Sequence, residues 1–327
     1  MDFHALETTI LENDLPRFKQ DRLLKKLRKQ HKQGKLGIEP KDPQWAWRLS
    51  AANLMNGKTD FEGFQFRSSW ALELFYREWI YPKWNGENHR CLVLAEQGIG
   101  DEILFLRSVS WLLEKCPKAV FEVDDRLLPI VERSFPKANF ISRWRRKRGE
   151  GNELTDYEKN EFDSYIPFGD LFHISNKNKK PSGEPYLKCD PDRVLDLDKI
   201  GLSWKGGRSN IDPDIFKGEF VNLQYGEDYK EEPNDRLISL DLDHNDMEQI
   251  FAVVFSLKEV WSVFSYICHV AGSQGQTIRA IKPPFEIHED LGTGNNRLKW
   301  VYGRGKGSWK THWYNSMTVY ENEKCLL

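Results

Sequence analysis

The sequence predicts an α/β chain: two successive units of parallel strands alternating with helices, behind a helical extension. Three observations lead there. The run CLVL (91–94) is uniformly apolar, as in a strand buried on both faces, and a two-glycine turn and a helical apolar spacing follow it directly. A second strand–helix series opens at KIGLSW (199–204). Between them, 174–185 is rich in Asn, Lys, Pro and Ser and has the composition of a linker. The expected divisions are a helical extension over 1–80, a first unit over 81–190 and a second over 191–327.

In chain order, residues 3–35 read as helical. Between Arg17 and Lys35 stand nine Lys/Arg and one acid, Asp21. Such a run is either a solvated helix face or a basic arm that meets phosphates. Gly34, Gly37, Pro40 and Pro43 end it. Residues 44–80 carry a second helical block with Trp45, Leu49, Trp70, Phe75 and Trp79 available for packing. PKWNGENHR (82–90) is a turn-rich entry to the strand at Cys91.

The turn 96–101 joins that strand to a helix whose apolar spacing runs Ile103, Leu106, Val109, Leu112 and Leu113. Strand, glycine turn and helix together aim backbone N–H groups at whatever lies above the strand. Asp101 is the carboxylate of this turn. The third glycine of a dinucleotide fingerprint is missing, so no nicotinamide site is read. AVFEV (119–123) is the next strand, 124–135 a helix and NFIS (139–142) a third strand. A polar connection follows, with Arg143, Arg145, Arg146, Lys147 and Arg148 around Trp144. It is either a solvated excursion or an edge for an anionic acceptor, with Trp144 placed to stack on a ring. FDSYIP (162–167) restores a strand.

In the second unit, the strand 199–204 leads into the loop KGGRSN (205–210). EFVNLQ (219–224) is a strand and 246–257 a helix with Met247, Ile250, Phe251 and Val254 on one face. VWSVF (260–264) is a strand, and Ser265 is placed to cap the helix that carries His269. TIRAI (277–281) is a further strand. The tail is aromatic and turn-rich. Two such halves make two Rossmann-like units facing each other, with ligands at the carboxyl ends of the strands, in the cleft between them.

Composition bounds the rest. The net charge of −2 argues neither for nor against a polyanionic partner. Five cysteines, an odd number without paired spacing, read as free thiols of a reducing compartment, not a disulfide frame or zinc site. The N-terminus lacks the basic start and apolar stretch of a signal peptide. The most apolar segment, 250–272, is interrupted by Lys258 and Glu259 and is too polar to span a bilayer. A cytoplasmic protein without a membrane span is expected.

An ordered set of stretches resembles one family: FEGFQFRSSW (61–70), PKWNGE (82–87), AEQGIGDEILFLR (95–107), FDSYIPFGDL (162–171), EPYL (184–187), IGLSWKGG (200–207), FVNLQYG (220–226), HVAGSQG (269–275) and WYNSM (313–317). Together they resemble the bacterial and phage glycosyltransferases that carry tetratricopeptide repeats, relatives of the heptosyltransferases of glycosyltransferase family nine. The resemblance covers roughly 45–320. It implies a GT-B fold, a degenerate tetratricopeptide-like extension before residue 80, and a nucleotide-diphosphate sugar as donor substrate, with no cofactor and no required metal. It implies transfer to an acceptor hydroxyl with inversion, which needs a base and positive groups at the leaving diphosphate.

Residue by residue, Asp101 matches the candidate base, its structural alternative being to favour the helix start near Glu102. Lys205, Arg208, Gln224, Ser265, His269 and Gly272 match the donor side. Gln97 and Gly98, with Arg145, Arg146 and Arg148, are the expected acceptor side. The chain departs from the family at Phe264–Ser265, where Asp-Thr or Asp-Ser is usual, and at WKGG in place of W-A-G-N. Losing that carboxylate leaves open a non-catalytic nucleotide or carbohydrate binder on the same scaffold. The acceptor also stays open among hydroxymethylated phage DNA, surface polysaccharide and protein hydroxyls. The basic segments 17–35 and 143–148 favour a polyanion such as DNA.

Overall fold

The computed structural model describes residues 81–96, 98–143, 160–176, 182–206, 209–225, 236–282 and 305–326. The expected extension over 1–80, its tetratricopeptide-like helices and its basic run lie outside the described residues. So do Gln97, Trp144, Arg145, Arg146, Arg148 and Arg208.

The first half holds a four-stranded, all-parallel sheet of β1 (Cys91–Leu94), β2 (Val120–Val123), β3 (Asn139–Ser142) and β4 (Ser164–Pro167), in the order β3-β2-β1-β4. β1, β2 and β4 are buried along their whole length, which explains the uninterrupted apolar run at 91–94. β3 is the edge and is partly exposed.

Helix α1 (Ile99–Phe105) starts four residues before the apolar spacing suggested. Gly98 takes the N-cap position with an extended backbone, and Asp101 and Glu102 in the first turn suit a helix N-terminus. The glycines had marked this stretch as turn only. α1 passes through a 3-10 turn at Leu106–Ser108 into α2 (Val109–Lys115). Ile103, Leu106, Val109 and Leu112 are all fully buried at a constant spacing of three, and that period fits the tighter turn better than a continuous α-helix. The expected helix over 124–135 likewise splits. Asp124 accepts from the Arg126 N–H at the head of a 3-10 turn, and α3 (Leu128–Ser134) follows. α4 (Phe168–Asn176) runs into the predicted linker.

The second half holds a seven-stranded sheet of β5 (Ile200–Ser203), β8 (Phe220–Asn222), β9 (Leu237–Ile238), β10 (Glu259–Val263), β11 (Ile278–Ile281), β12 (Ser308–Lys310) and β13 (Met317–Tyr320). Its order is β12-β13-β11-β10-β5-β8-β9, and every pair is parallel except β12 with β13. The stretch predicted as a loop at 205–210 is a small hairpin, β6 (Lys205–Gly206) with β7 (Ser209–Asn210). The tail adds β12 and β13, which short, aromatic-rich sequence did not announce. α5 (Met247–Ser256) is capped by Asp246, whose carboxylate accepts the Gln249 N–H at 3.0 Å, and it buries the predicted face. α6 (Tyr266–Gln274) follows β10.

One apolar cluster runs through both halves, from Val93 and Ile103 to Ile267, Val270 and Tyr314. The segment after the predicted linker straps the halves together: the Tyr186 and Leu187 N–H groups both donate to the Ser273 carbonyl, at 2.8 and 3.0 Å. Arg133 on α3 donates to Glu248 on α5 at 2.9 Å. All five cysteines are free, and Cys91, Cys116 and Cys268 are buried. Among the described residues no helix is long and apolar enough to cross a membrane.

Candidate functional site

The two sheets present their carboxyl ends to one another through α1 and α6. The turn after β1 sits directly on the first turns of α6. A Cβ added at Gly100 would lie 3.1 Å from His269 Cδ2 and 3.4 Å from Tyr266 Cα, tighter than an ordinary contact, so the glycine suits this close approach. Asp101, partly exposed, belongs to this turn, and its backbone N–H donates to the Gly98 carbonyl at 3.0 Å. Gly98 has open space where a Cβ would be.

On the opposite side, Ser265 stands at the N-cap position of α6 with an extended backbone, but its side chain makes no capping hydrogen bond. Its Oγ lies 3.0 Å from Ser262 Oγ instead. This corrects the expected cap: the serine hydroxyl meets Ser262 on β10 and caps no helical N–H group. Phe264 is buried in the apolar cluster, so the position where a carboxylate was missed is a core position here.

His269 is nearly buried, with Nδ1 2.9 Å from the Tyr314 hydroxyl. At Gly272 a Cβ would fall 2.5 Å from the Tyr314 ring, so this glycine makes room for an aromatic side chain. Gly272→Ala is therefore expected to overpack this contact and cost about 1–3 kcal/mol, read as a lower denaturant midpoint at unchanged m-value.

Gln224 is likewise a brace. Its Oε1 accepts the Lys205 N–H at 2.8 Å, and its Nε2 donates to the Lys205 carbonyl at 3.0 Å. One side chain thus pairs with both backbone groups of Lys205, as a neighbouring strand would, and holds the hairpin at the end of β5. Lys205 is half-buried. The hairpin reaches α6 at Gly206, where a Cβ would be 3.1 Å from Ser265 Cβ.

Four further groups were given no role by the sequence. The first is an aromatic trio at the carboxyl end of the second sheet. The Tyr225 ring lies 5.1 Å from Tyr266 and 5.7 Å from His244, and His244 Nδ1 is hydrogen-bonded to the Tyr266 hydroxyl. Burial holds His244 below its ordinary range and pushes the Tyr266 phenol up, so the pair is neutral at pH 7. The second is Glu102, buried and ion-paired to Arg143, with Oε2 accepting the Asp124 N–H at 2.9 Å. Burial raises its carboxyl from 4.5 to about 7, with Arg143 pulling the other way. Burial also opposes the neighbouring Asp124 carboxylate, but its hydrogen bonds to Arg126 outweigh that and hold it below the ordinary range.

The third group is Glu122, a charge inside the buried strand β2, whose Oε2 accepts the Ala95 N–H at 3.1 Å and shapes the entry to the turn. That charge within an apolar run was the available signal. The fourth is Arg107, whose guanidinium lies 4.9 Å from the Tyr186 ring, 5.3 Å from Tyr314 and 5.8 Å from Trp313, and donates to the Trp313 carbonyl at 2.6 Å. An open basin of about 560 Å³, lined by Arg90, Lys118 and Phe140 among others, opens by the amino ends of β2 and β3, away from this site.

The arrangement offers an anion two things: the N-terminus of α6 with Ser265 and His269, and Lys205 on its braced hairpin. It offers a reacting hydroxyl one carboxylate, Asp101, on the facing turn.

No family model matches the chain. A curated relative, protein FlbA of Caulobacter vibrioides, is 28% identical over an alignment of 184 residues, and the match covers 44% of this chain and 30% of that protein. The chain thus spans under a third of that relative. Among solved structures, a family 9 glycosyl transferase from Veillonella parvula is similar with a TM-score of 0.43 and 13% identity, over 62% of this chain and 84% of the other. The iron-containing dodecameric glycosyltransferase TibC of enterotoxigenic E. coli is similar with a TM-score of 0.43 and 9% identity, over 60% of this chain and 58% of the other. A complex of TibC with ADP-D-β-D-heptose aligns with a TM-score of 0.41.

Proposed function

We propose that the chain is a glycosyltransferase of GT-B type that moves a sugar from a nucleotide-diphosphate sugar to an acceptor hydroxyl with inversion. The observation that carries this reading is the meeting of the Asp101 turn with the first turns of α6, at the facing carboxyl ends of two parallel sheets. Two units, 81–190 and 191–327, hold acceptor and donor respectively. The diphosphate lies against the N-terminus of α6, where Lys205 balances its charge and backbone N–H groups and His269 donate hydrogen bonds to it as the glycosidic bond breaks. The nucleoside extends towards Tyr225, His244 and Tyr266. Asp101 takes the proton of the attacking hydroxyl as the new bond forms on the opposite face of the anomeric carbon. Within this scheme Gln224 and Gly272 support the site without touching substrate.

For the acceptor, we propose a polyanion, with hydroxymethylated DNA as the first candidate. Support comes from the sequence: the nine basic residues of 17–35 and the run Arg145, Arg146, Lys147, Arg148. A base within a duplex has to leave the stack for its hydroxyl to reach Asp101.

Thermal shift against ADP, UDP, GDP and their sugars tests the donor half. One nucleotide is expected to raise the melting temperature selectively, by mass action on the folded state. No rise with any of them in folded protein contradicts the reading. For the acceptor half, affinity for hydroxymethylated oligonucleotides is expected to fall steeply with salt. Salt-insensitive binding rejects DNA.

A further inference from the structure

The aromatic WYNSM segment sets Tyr314 against His269. Tyr314 is fully buried, and its ring is fixed from three sides. Gly272 lies against the ring, the Arg107 guanidinium sits 5.3 Å from its centre, and the Tyr186 hydroxyl is 3.5 Å from its own. The hydroxyl is thereby delivered to His269 Nδ1 at 2.9 Å. The other edge of the imidazole faces the Asp101 turn, since Cδ2 is the atom that a Cβ on Gly100 would meet. Nε2 adjoins Cδ2, so it is the ring nitrogen on the side of the cleft.

The direction of the Tyr314–His269 bond follows from the protons around it. The Tyr186 hydroxyl donates to the Ile103 carbonyl at 2.8 Å. It can therefore only accept from Tyr314, and at 3.5 Å that contact is far longer than an ordinary O–H···O bond. The Tyr314 proton is better placed on His269 Nδ1. Burial also pushes the Tyr314 phenol well above its ordinary value, so it keeps that proton.

We propose that Tyr314 is a positioning residue that makes His269 Nδ1 an acceptor, and so holds the neutral imidazole as the Nε2–H tautomer with its donor towards the cleft. A neutral Nε2–H group can bind an anionic oxygen without first taking up a proton. The inference deepens the donor reading and rests on it for its purpose, though the tautomer itself does not depend on a ligand.

The test is the nitrogen NMR spectrum of the ring in histidine-labelled full-length protein at alkaline pH without ligand, assigned by comparison with His269→Gln. The expected result is a protonated Nε2 and an unprotonated Nδ1. In Tyr314→Phe, which keeps the ring against Gly272, the two nitrogens should shift towards averaged values, and affinity for the nucleotide that binds wild type should drop by the share of the Nε2–H form that is lost, roughly twofold. Tyr186→Phe should leave the tautomer unchanged. A wild-type proton on Nδ1, or a Tyr314→Phe spectrum identical to wild type, overturns the proposal. If the Tyr314→Phe protein does not fold, the wild-type and Tyr186→Phe spectra decide it. The expected tautomer with no binding of ADP, UDP or GDP supports the positioning role and rejects the donor reading instead.

Discussion

Asp101→Asn is expected to slow sugar transfer by about 10²–10⁴-fold, the usual contribution of a positioned general base. Asparagine keeps the size of the side chain but cannot take a proton from the acceptor hydroxyl. Asp101 lies in the first turn of α1, so its charge also favours the helix N-terminus, a term of about 0.3–1 kcal/mol. The two roles separate cleanly. As a base, Asp101 governs turnover while nucleotide affinity and melting temperature stay nearly unchanged. As a helix-start residue only, it moves the melting temperature, and turnover follows stability. Comparing turnover, nucleotide affinity and melting temperature in one variant decides between them. Full turnover in Asp101→Asn would place the base elsewhere, whereas nucleotide binding without turnover in wild type would favour the non-catalytic scaffold that Phe264 raises.

The Glu102–Arg143 pair predicts the larger effect on stability. Both side chains are withdrawn from water, with 1% and 14% of their side-chain surface exposed. Arg143→Met leaves a buried carboxylate without its cation, at a cost of about 3–5 kcal/mol. The cost depends on pH, and its sign is fixed. Burial already holds the Glu102 carboxyl at about 7 in the folded protein, against 4.5 ordinarily, and Arg143 opposes that shift. Removing Arg143 raises it further. The folded state then binds a proton that the unfolded state releases above its own value, so stability is retained in acid and lost as pH rises through the folded value. The deficit of Arg143→Met should be smallest near about pH 5 and largest near about pH 8 in paired urea titrations. A deficit equal at both would mean that Glu102 is not the group involved. Wild type should show the same direction, more weakly.

The strands of this fold were legible because buried parallel strands read as short apolar runs: CLVL, AVFEV and EFVNLQ each fall on a strand. Helix boundaries were less so. The start of α1 was hidden by its glycines, of which Gly100 packs closely on α6, since a glycine pair signals a turn whatever its packing reason. The tail was misread for a related cause. β12 and β13 have three and four residues, too few for an alternation to stand out among aromatic residues.

At the site, the sequence singled out residues without showing which side chains they pack against or brace. Gln224 and Gly272 stand where a ligand was expected, yet one braces the Lys205 backbone and the other admits the Tyr314 ring. Nothing local distinguishes these uses, because each depends on a partner far along the chain: 19 positions for Gln224, and 45 for the Tyr314–His269 contact beside Gly272. Glu102 was visible only as a neighbour of Asp101, and its burial depends on Arg143, 41 positions away.

Hydrogen–deuterium exchange with and without the nucleoside diphosphate selected by thermal shift tests the central claim most directly. The account predicts that the nucleotide slows exchange in two separate stretches, 98–103 on the Asp101 turn and 264–269 at the head of α6. Protection confined to other parts of the chain, or at neither stretch at saturating nucleotide, would contradict it.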